Sequence, residues 1–252
     1  MLRLGLIGCF GRKNNKEEEI MSNIFTEEEL KDLGKSFNIL AIEALERGDL
    51  EKAKYWMQRG EETKEYVHDM YVKWVPRLLK VIHERLGEDQ FISVIGGSVS
   101  FIDAVVDARD AMLKEKDGLK KWLEFYADVW RQNCGVFDVT EDDEKFTIKH
   151  NPCGSGGQMI DRGYFESIFG LGKYKGKGYH TFSQEGMPLY CGHCPYAHMA
   201  IPMSKSGSPI WCHDADNPFP RKPGDPCIHY IYKDPKDIPD KFYEMVGMKK
   251  PE

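Results

Sequence analysis

The apolar period of this 252-residue chain changes once, near Gly135. Before that point apolar residues recur every three or four positions, and after it they fall into short alternating runs. A period of 3.6 buries one stripe of a helix and a period of 2 buries one face of a strand, so the two halves cannot share one architecture. The expected fold class is α+β, a helical N-terminal half packed on a small antiparallel β-containing C-terminal half.

The helical half is read from a capping box at Thr26 and Glu29, after which Leu30, Leu33, Phe37, Leu40 and Ala44 form the apolar stripe of one amphipathic helix. Gly48-Asp49 breaks and recaps the chain, and a long helix runs from Leu50 to Leu86, stopping at Gly87. Phe91 to Val106 is apolar around Gly96-Gly97, and Leu119 to Trp130 carries Trp122, Phe125, Tyr126 and Trp130 on one side. Residues 23–134 are taken as a helical scaffold.

Residues 135–252 form the α+β, Cys- and His-rich region. Val136 to Val139 and Lys145 to Lys149 flank the acidic turn Thr140 to Glu144 as a hairpin, and Ser208 to His213 and Cys227 to Tyr232 are further strands. In the last strand Cys227, His229 and Ile231 share one face.

A content of 41% apolar and 12% aromatic residues is enough to build a core. The net charge of −6, with lysines interleaved among glutamates, leaves no basic stripe for phosphate backbones, so nucleic acid is not an expected partner. Seven cysteines are too few for a disulfide scaffold, and a reducing cytoplasm fits them. Leu6-Ile7-Gly8-Cys9 looks like a lipoprotein cleavage box, but the apolar run Leu4 to Phe10 is short for a signal core and charged residues follow it. Residues 1–22 are therefore read as a disordered leader or a start-site extension ahead of Met21. No segment approaches the ~20 apolar residues needed to span a bilayer, so no membrane partner is expected. A homo-oligomer is compatible with the aromatic-rich helical half, though nothing selects a face.

Cys153, Cys191, Cys194, Cys212 and Cys227 lie from residue 150 onward with His150, His180, His193, His198, His213 and His229. The tightest motif is Cys191-Gly192-His193-Cys194-Pro195-Tyr196-Ala197-His198. Pro195 suits the first position of a helix, which puts Cys194 at its cap and His198 one turn along the same side. Two thiolates and an imidazole suit tetrahedral Zn²⁺, with Cys191, Cys194 and His198 as ligands and a fourth from Cys227, or from Cys153, Cys212 or His229. Cys191 to Cys194 also matches the tetrapeptide of protein disulfide isomerases, but the glycine-rich, polar stretch before it offers no buried strand for that fold.

The second motif is Cys153-Gly154-Ser155-Gly156-Gly157, where a strand end opens into a turn. Gly154, Ser155, Gly156 and Gly157 can present successive N–H groups to an anion, with Cys153 at the mouth as nucleophile or metal ligand. Asp161 and Arg162 follow, and Arg162 is a candidate for an acidic substrate group. Glu166 and Glu185 are the nearest carboxylates for proton transfer, and His193 or His229 the candidate proton shuttles.

The hairpin Val136 to Lys149 running into Asn151-Pro152-Cys153, with the later Gly224-Asp225-Pro226-Cys227-Ile228-His229-Tyr230-Ile231-Tyr232, resembles the C-terminal pattern of L-2-amino-thiazoline-4-carboxylic acid hydrolase-like proteins over about the last 115 residues. That resemblance implies a small α+β enzyme opening a ring C–N bond by hydrolysis, with Cys153 and Cys227 near the site. Cys191, Cys194 and His198 are not part of that pattern. The last strand also resembles that of vinyl-reductase-like ligand-binding proteins, which would imply a small-molecule sensor. The residues and the resemblance together point to a metal- or thiol-dependent hydrolase of a small carboxylated or heterocyclic substrate. The alternatives are a non-catalytic metal or ligand sensor and a thiol–disulfide oxidoreductase.

Overall fold

A computed structural model describes residues 24–165, 170–214, 216–219 and 221–251. The expected leader 1–22 and the candidate carboxylate Glu166 lie outside the described residues. The chain divides into two compact units, Met1–Glu61 and Glu62–Glu252, so the change from helix to strand falls inside the second.

In the first unit, α1 (Glu27–Leu33) opens on the capping box, with the Glu29 N–H donating to Thr26 Oγ1 at 3.2 Å and the Thr26 N–H to Glu29 Oε2 at 2.7 Å. The single helix expected from Thr26 to Ala44 is two. Gly34 caps α1 and Ser36 starts α2 (Phe37–Glu46), its hydroxyl accepting the Ile39 N–H at 3.3 Å. Leu40, Ala41 and Ala44 of α2 are buried while Leu30 and Leu33 of α1 are exposed, so the break separates a packed segment from an unpacked one. Gly48 turns the chain with φ +77° into α3 (Leu50–Leu86). Phe37 then lies against the face of α3 that carries Trp56 and Gly60.

The second unit begins within α3, which stops where Gly87 takes φ +78°. It continues with α4 (Glu88–Ser98), α5 (Ile102–Met112) and α6 (Gly118–Gln132), then β1 (Phe137–Glu141), β2 (Lys145–His150), α7 (Gly156–Asp161), α8 (Ile201–Ser206), β3 (Cys212–His213), β4 (Cys227–Tyr232) and α9 (Asp240–Glu244). The sheet is antiparallel throughout in the order β1-β2-β4-β3, with Phe137 opposite His150 and His150 opposite Cys227. Asp142 shapes the β1–β2 turn by accepting the N–H groups of Glu144 and Lys145 at 2.9 and 2.8 Å. The fold class is α+β, as the change of period implies.

β3 is shorter than the expected Ser208 to His213. Pro209 has no N–H to offer a ladder, and the Ile210 N–H bonds to the His198 carbonyl at 2.8 Å, so this stretch is tied to a helical turn before it reaches the sheet. One core lies where α5 and α6 meet the sheet, with Val106, Trp122, Tyr126 and Trp130 against Ile148, Trp211 and Ile231. A second gathers Phe91, Ile95, Met187, Leu189, Met199, Phe242 and Tyr243. Among the described residues no single helix is long and apolar enough to cross a membrane; α4 and α5, bent by 44°, reach that composition only as a pair.

Candidate functional site

A cavity of about 330 Å³ opens between the α4–α5 turn, α5 and α6 on one side and the sheet with its loops on the other. Cys153, Cys191, Cys194 and Cys227 all line it, together with His150, His193, His198, His213 and His229. Cys212 does not; it is packed in the core of Phe91 and Phe242, where burial pushes its thiol up. Glu185 is exposed and outside the lining. Asp161 accepts the Gly224 N–H at 2.9 Å and so ties down the loop before β4.

Arg162 is a correction to the sequence reading. It lies outside the cavity at the end of α7 and pairs with Asp69 of α3. The guanidinium at the cavity belongs to Arg221, which donates through one terminal nitrogen to His213 Nε2 at 2.9 Å and to the Asn217 carbonyl at 3.1 Å.

Gly154 to Gly157 do line the cavity, but the physical reason for glycine is close approach, not left-handed backbone. A Cβ on Gly154 would meet the Asn133 carbonyl oxygen at 1.6 Å, and one on Gly156 would meet Cys191 Sγ at 2.2 Å. The backbone therefore enters the site where side chains cannot. Of this turn, the Gly157 N–H is directed at Cys153 Sγ at 3.0 Å.

That bond is one of several holding Cys153 as a thiolate. Cys227 donates its S–H to Cys153, and this is the largest influence; burial opposes it, while the Gly157 and Ser155 N–H groups and the Arg221 charge add to it. The result is a Cys153 pKa lowered to about 6, with Cys227 correspondingly held protonated. Cys227 Sγ lies 3.3 Å from His229 Nε2, so a contiguous chain runs Cys153–Cys227–His229. His229 itself is kept neutral by burial and by the charges of its neighbours.

A second group stands on the far side of Trp211. His193, Cys194 and His198 bring one ligand atom each to within 4.8 Å of one another. His193 Nδ1 donates to the Tyr190 carbonyl at 2.6 Å, which leaves Nε2 as the lone-pair nitrogen, 3.4 Å from Cys194 Sγ. Burial keeps His193 and His198 neutral and pushes the Cys194 thiol up. The local backbone follows from two prolines. Pro195 starts a π-helical turn, Pro195–Ala200, and Pro202 lacks the N–H that an α-helix would give to the His198 carbonyl, which instead holds Ile210.

Trp211 stacks on His198 at 3.7 Å between centroids and on His229 at 4.8 Å, and so divides the two groups. His213, Cys227 and His229 form a second set within 4.8 Å. Both sets could hold a metal ion, but the second has the Arg221 cation bonded to one of its imidazoles, which opposes a further positive charge. The expected metal set is thereby divided. Cys194 and His198 stay together and gain His193, Cys227 belongs with His213 and His229, and Cys191 is in neither. The Cys191 thiol packs against Gly156 and burial raises it to about 12.

His150 is 1% exposed and neither ring nitrogen has a hydrogen-bond partner among the described residues; His198 Nδ1, His229 Nδ1 and Trp211 Nε1 are likewise unpartnered. Buried polar atoms of this kind cost roughly 1–3 kcal/mol each, so their concentration on one cavity makes it the candidate site. Six lining residues were not assigned roles from sequence: His150, His213, Arg221 and the α6 aromatics Phe125, Tyr126 and Trp130. Of these, His150 and His213 carried only the general signal of the Cys- and His-rich half, the aromatic stripe of α6 reads more readily as ordinary packing, and Arg221 carried none. Comparison with protein-family models, curated proteins and solved structures gives no match.

Proposed function

We propose that this protein is a thiol-dependent hydrolase that opens a C–N bond in a small carboxylated, ring-containing substrate. The observation that carries this reading is the setting of Cys153: its sulfur accepts the Gly157 N–H at 3.0 Å, bonds to Cys227, and lines an apolar cavity that also holds the Arg221 guanidinium, bonded there to His213 and Asn217. A thiolate is the nucleophilic form of cysteine, and the charge of a guanidinium together with its remaining N–H donors suits a carboxylate.

In the proposed reaction the Cys153 thiolate adds to the electrophilic carbon of the C–N unit. The C–N bond breaks as the nitrogen takes a proton from Cys227, and the Cys227 thiolate so formed is held beside His229. Water then adds to the thioester-like carbon and gives its proton to the Cys227 thiolate, the C–S bond breaks, and Cys153 leaves as thiolate, so that both thiols return to their starting state. His193 stands outside this chain and serves the other group. The resemblance to thiazoline-carboxylate hydrolases agrees with the substrate class and with the placing of Cys153 and Cys227.

The cofactor assigned is zinc on His193, Cys194 and His198. The fit rests on the Tyr190 carbonyl fixing the His193 tautomer and on the neutral, buried state of both imidazoles. A bound zinc would supply Lewis acidity at the cavity wall, or structural closure if a fourth protein ligand joined. Closure is the observation that would favour the second reading, a non-catalytic metal or ligand sensor.

Alkylation of Cys153 by iodoacetamide, with hydrolysis of 2-amino-thiazoline-4-carboxylate followed in parallel, tests the proposal. Expected is loss of turnover in step with labelling of Cys153. Turnover that persists with Cys153 fully alkylated would contradict it.

A further inference from the structure

The cavity is chemically two-ended. Arg221 bonds His213 at 2.9 Å, His213 lies 5.9 Å from His229, His229 4.8 Å from Trp211, Trp211 5.1 Å from Tyr126, and Tyr126 5.7 Å from Phe125. This ladder of rings leads from the one guanidinium among the described lining residues to α6, where Phe125 and Val129 line the same space as Val99, Phe101, Ile102 and Val105. At that far end the wall is both apolar and open to solvent: Phe101 is 67% exposed and Phe125 45%. Apolar side chains left at the rim of an otherwise enclosed pocket are a binding surface for hydrocarbon, since nothing in packing requires them there.

We propose that the natural ligand is an amphipathic carboxylate, its charged end on Arg221 and a hydrocarbon or aryl tail lying between the α4–α5 turn and α6. This rests on the reading of Arg221 as the carboxylate anchor and adds the tail, which a simple ring acid would not use. A ligand of this shape exchanges water for apolar contact along the ladder and presents the atoms next to its carboxylate to Cys153.

Isothermal titration of the full chain with acetate, butyrate, hexanoate and octanoate, and with octanol as the uncharged control, tests it. The expected result is an affinity that rises by roughly fourfold per methylene, with octanol much weaker than octanoate. The exposed substitution Phe125→Asp, chosen because a surface position tolerates it, should flatten the chain-length series while leaving acetate binding as it was. Arg221→Gln should bring octanoate down to the level of octanol. Affinities independent of chain length, or octanol equal to octanoate, would overturn the proposal. Failure of the chain-length series while Cys153 still reacts as a thiolate would remove the tail and leave the hydrolase reading standing.

Discussion

Trp211 has a sulfur and two imidazoles on each side, yet the two sets are prepared for different chemistry. On the His198 side the partners are neutral, and a backbone carbonyl aims His193 Nε2 toward Cys194. On the His229 side a guanidinium stands against His213 and a second thiol, Cys153, bonds to Cys227. The same residue types therefore favour a cation in one place and an anion in the other. Residue identity sets which ligands are available; the nearest fixed charge decides which are used.

The largest effect should come from breaking the anionic side. Cys153→Ser is expected to lower hydrolysis at least about a thousandfold, measured as initial rate, while Cys194→Ser leaves Cys153 alkylation within about threefold. A loss of Cys153 labelling in Cys194→Ser well beyond threefold would merge the two groups. Next is the cationic side: Cys194→Ser or His198→Ala should weaken zinc at least about a hundredfold in chelator competition, whereas Cys227→Ser should change it less than about threefold. A large loss in Cys227→Ser would restore Cys227 to the zinc site. Removing the fixed charge is milder. Arg221→Gln should raise the pH at which Cys153 becomes reactive and slow its labelling at pH 6 by roughly threefold to tenfold. The smallest change concerns Cys191: Gly156→Ala should cost about 1 kcal/mol through the crowded Cys191 sulfur, read in a urea melt, with zinc affinity unchanged.

Much of the fold was legible because it depends on local signals. The Thr26–Glu29 box, the stop at Gly87 and the acidic hairpin turn each satisfy backbone groups within a few residues. The break at Gly34–Ser36 was missed although Ser36 is a good cap, because an unbroken three-and-four spacing runs across it. At the site, the gathering of Cys153, Cys191, Cys194 and Cys227 follows from motifs on strand ends and one helical turn. The partition among them does not, since Cys227 is placed by its ladder partner His150 and Cys191 by contact with Gly156. Arg221 was out of reach for a similar reason. It sits in a loop that reads as solvated, and only the folded chain sets it on His213, while Arg162, nearer in sequence, is taken by Asp69.

The account turns on Cys153 being the ionised thiol of the four, and thiol-by-thiol alkylation across pH, read by peptide mass spectrometry on the folded protein, tests this most directly. Because its pKa is lowered, Cys153 should be unreactive in acid, gain reactivity as pH rises through about 6, and level off above, while Cys191, raised to about 12, stays protected at neutral pH. Labelling that begins at Cys191 or Cys194, or that appears at Cys153 only near pH 9, would contradict it.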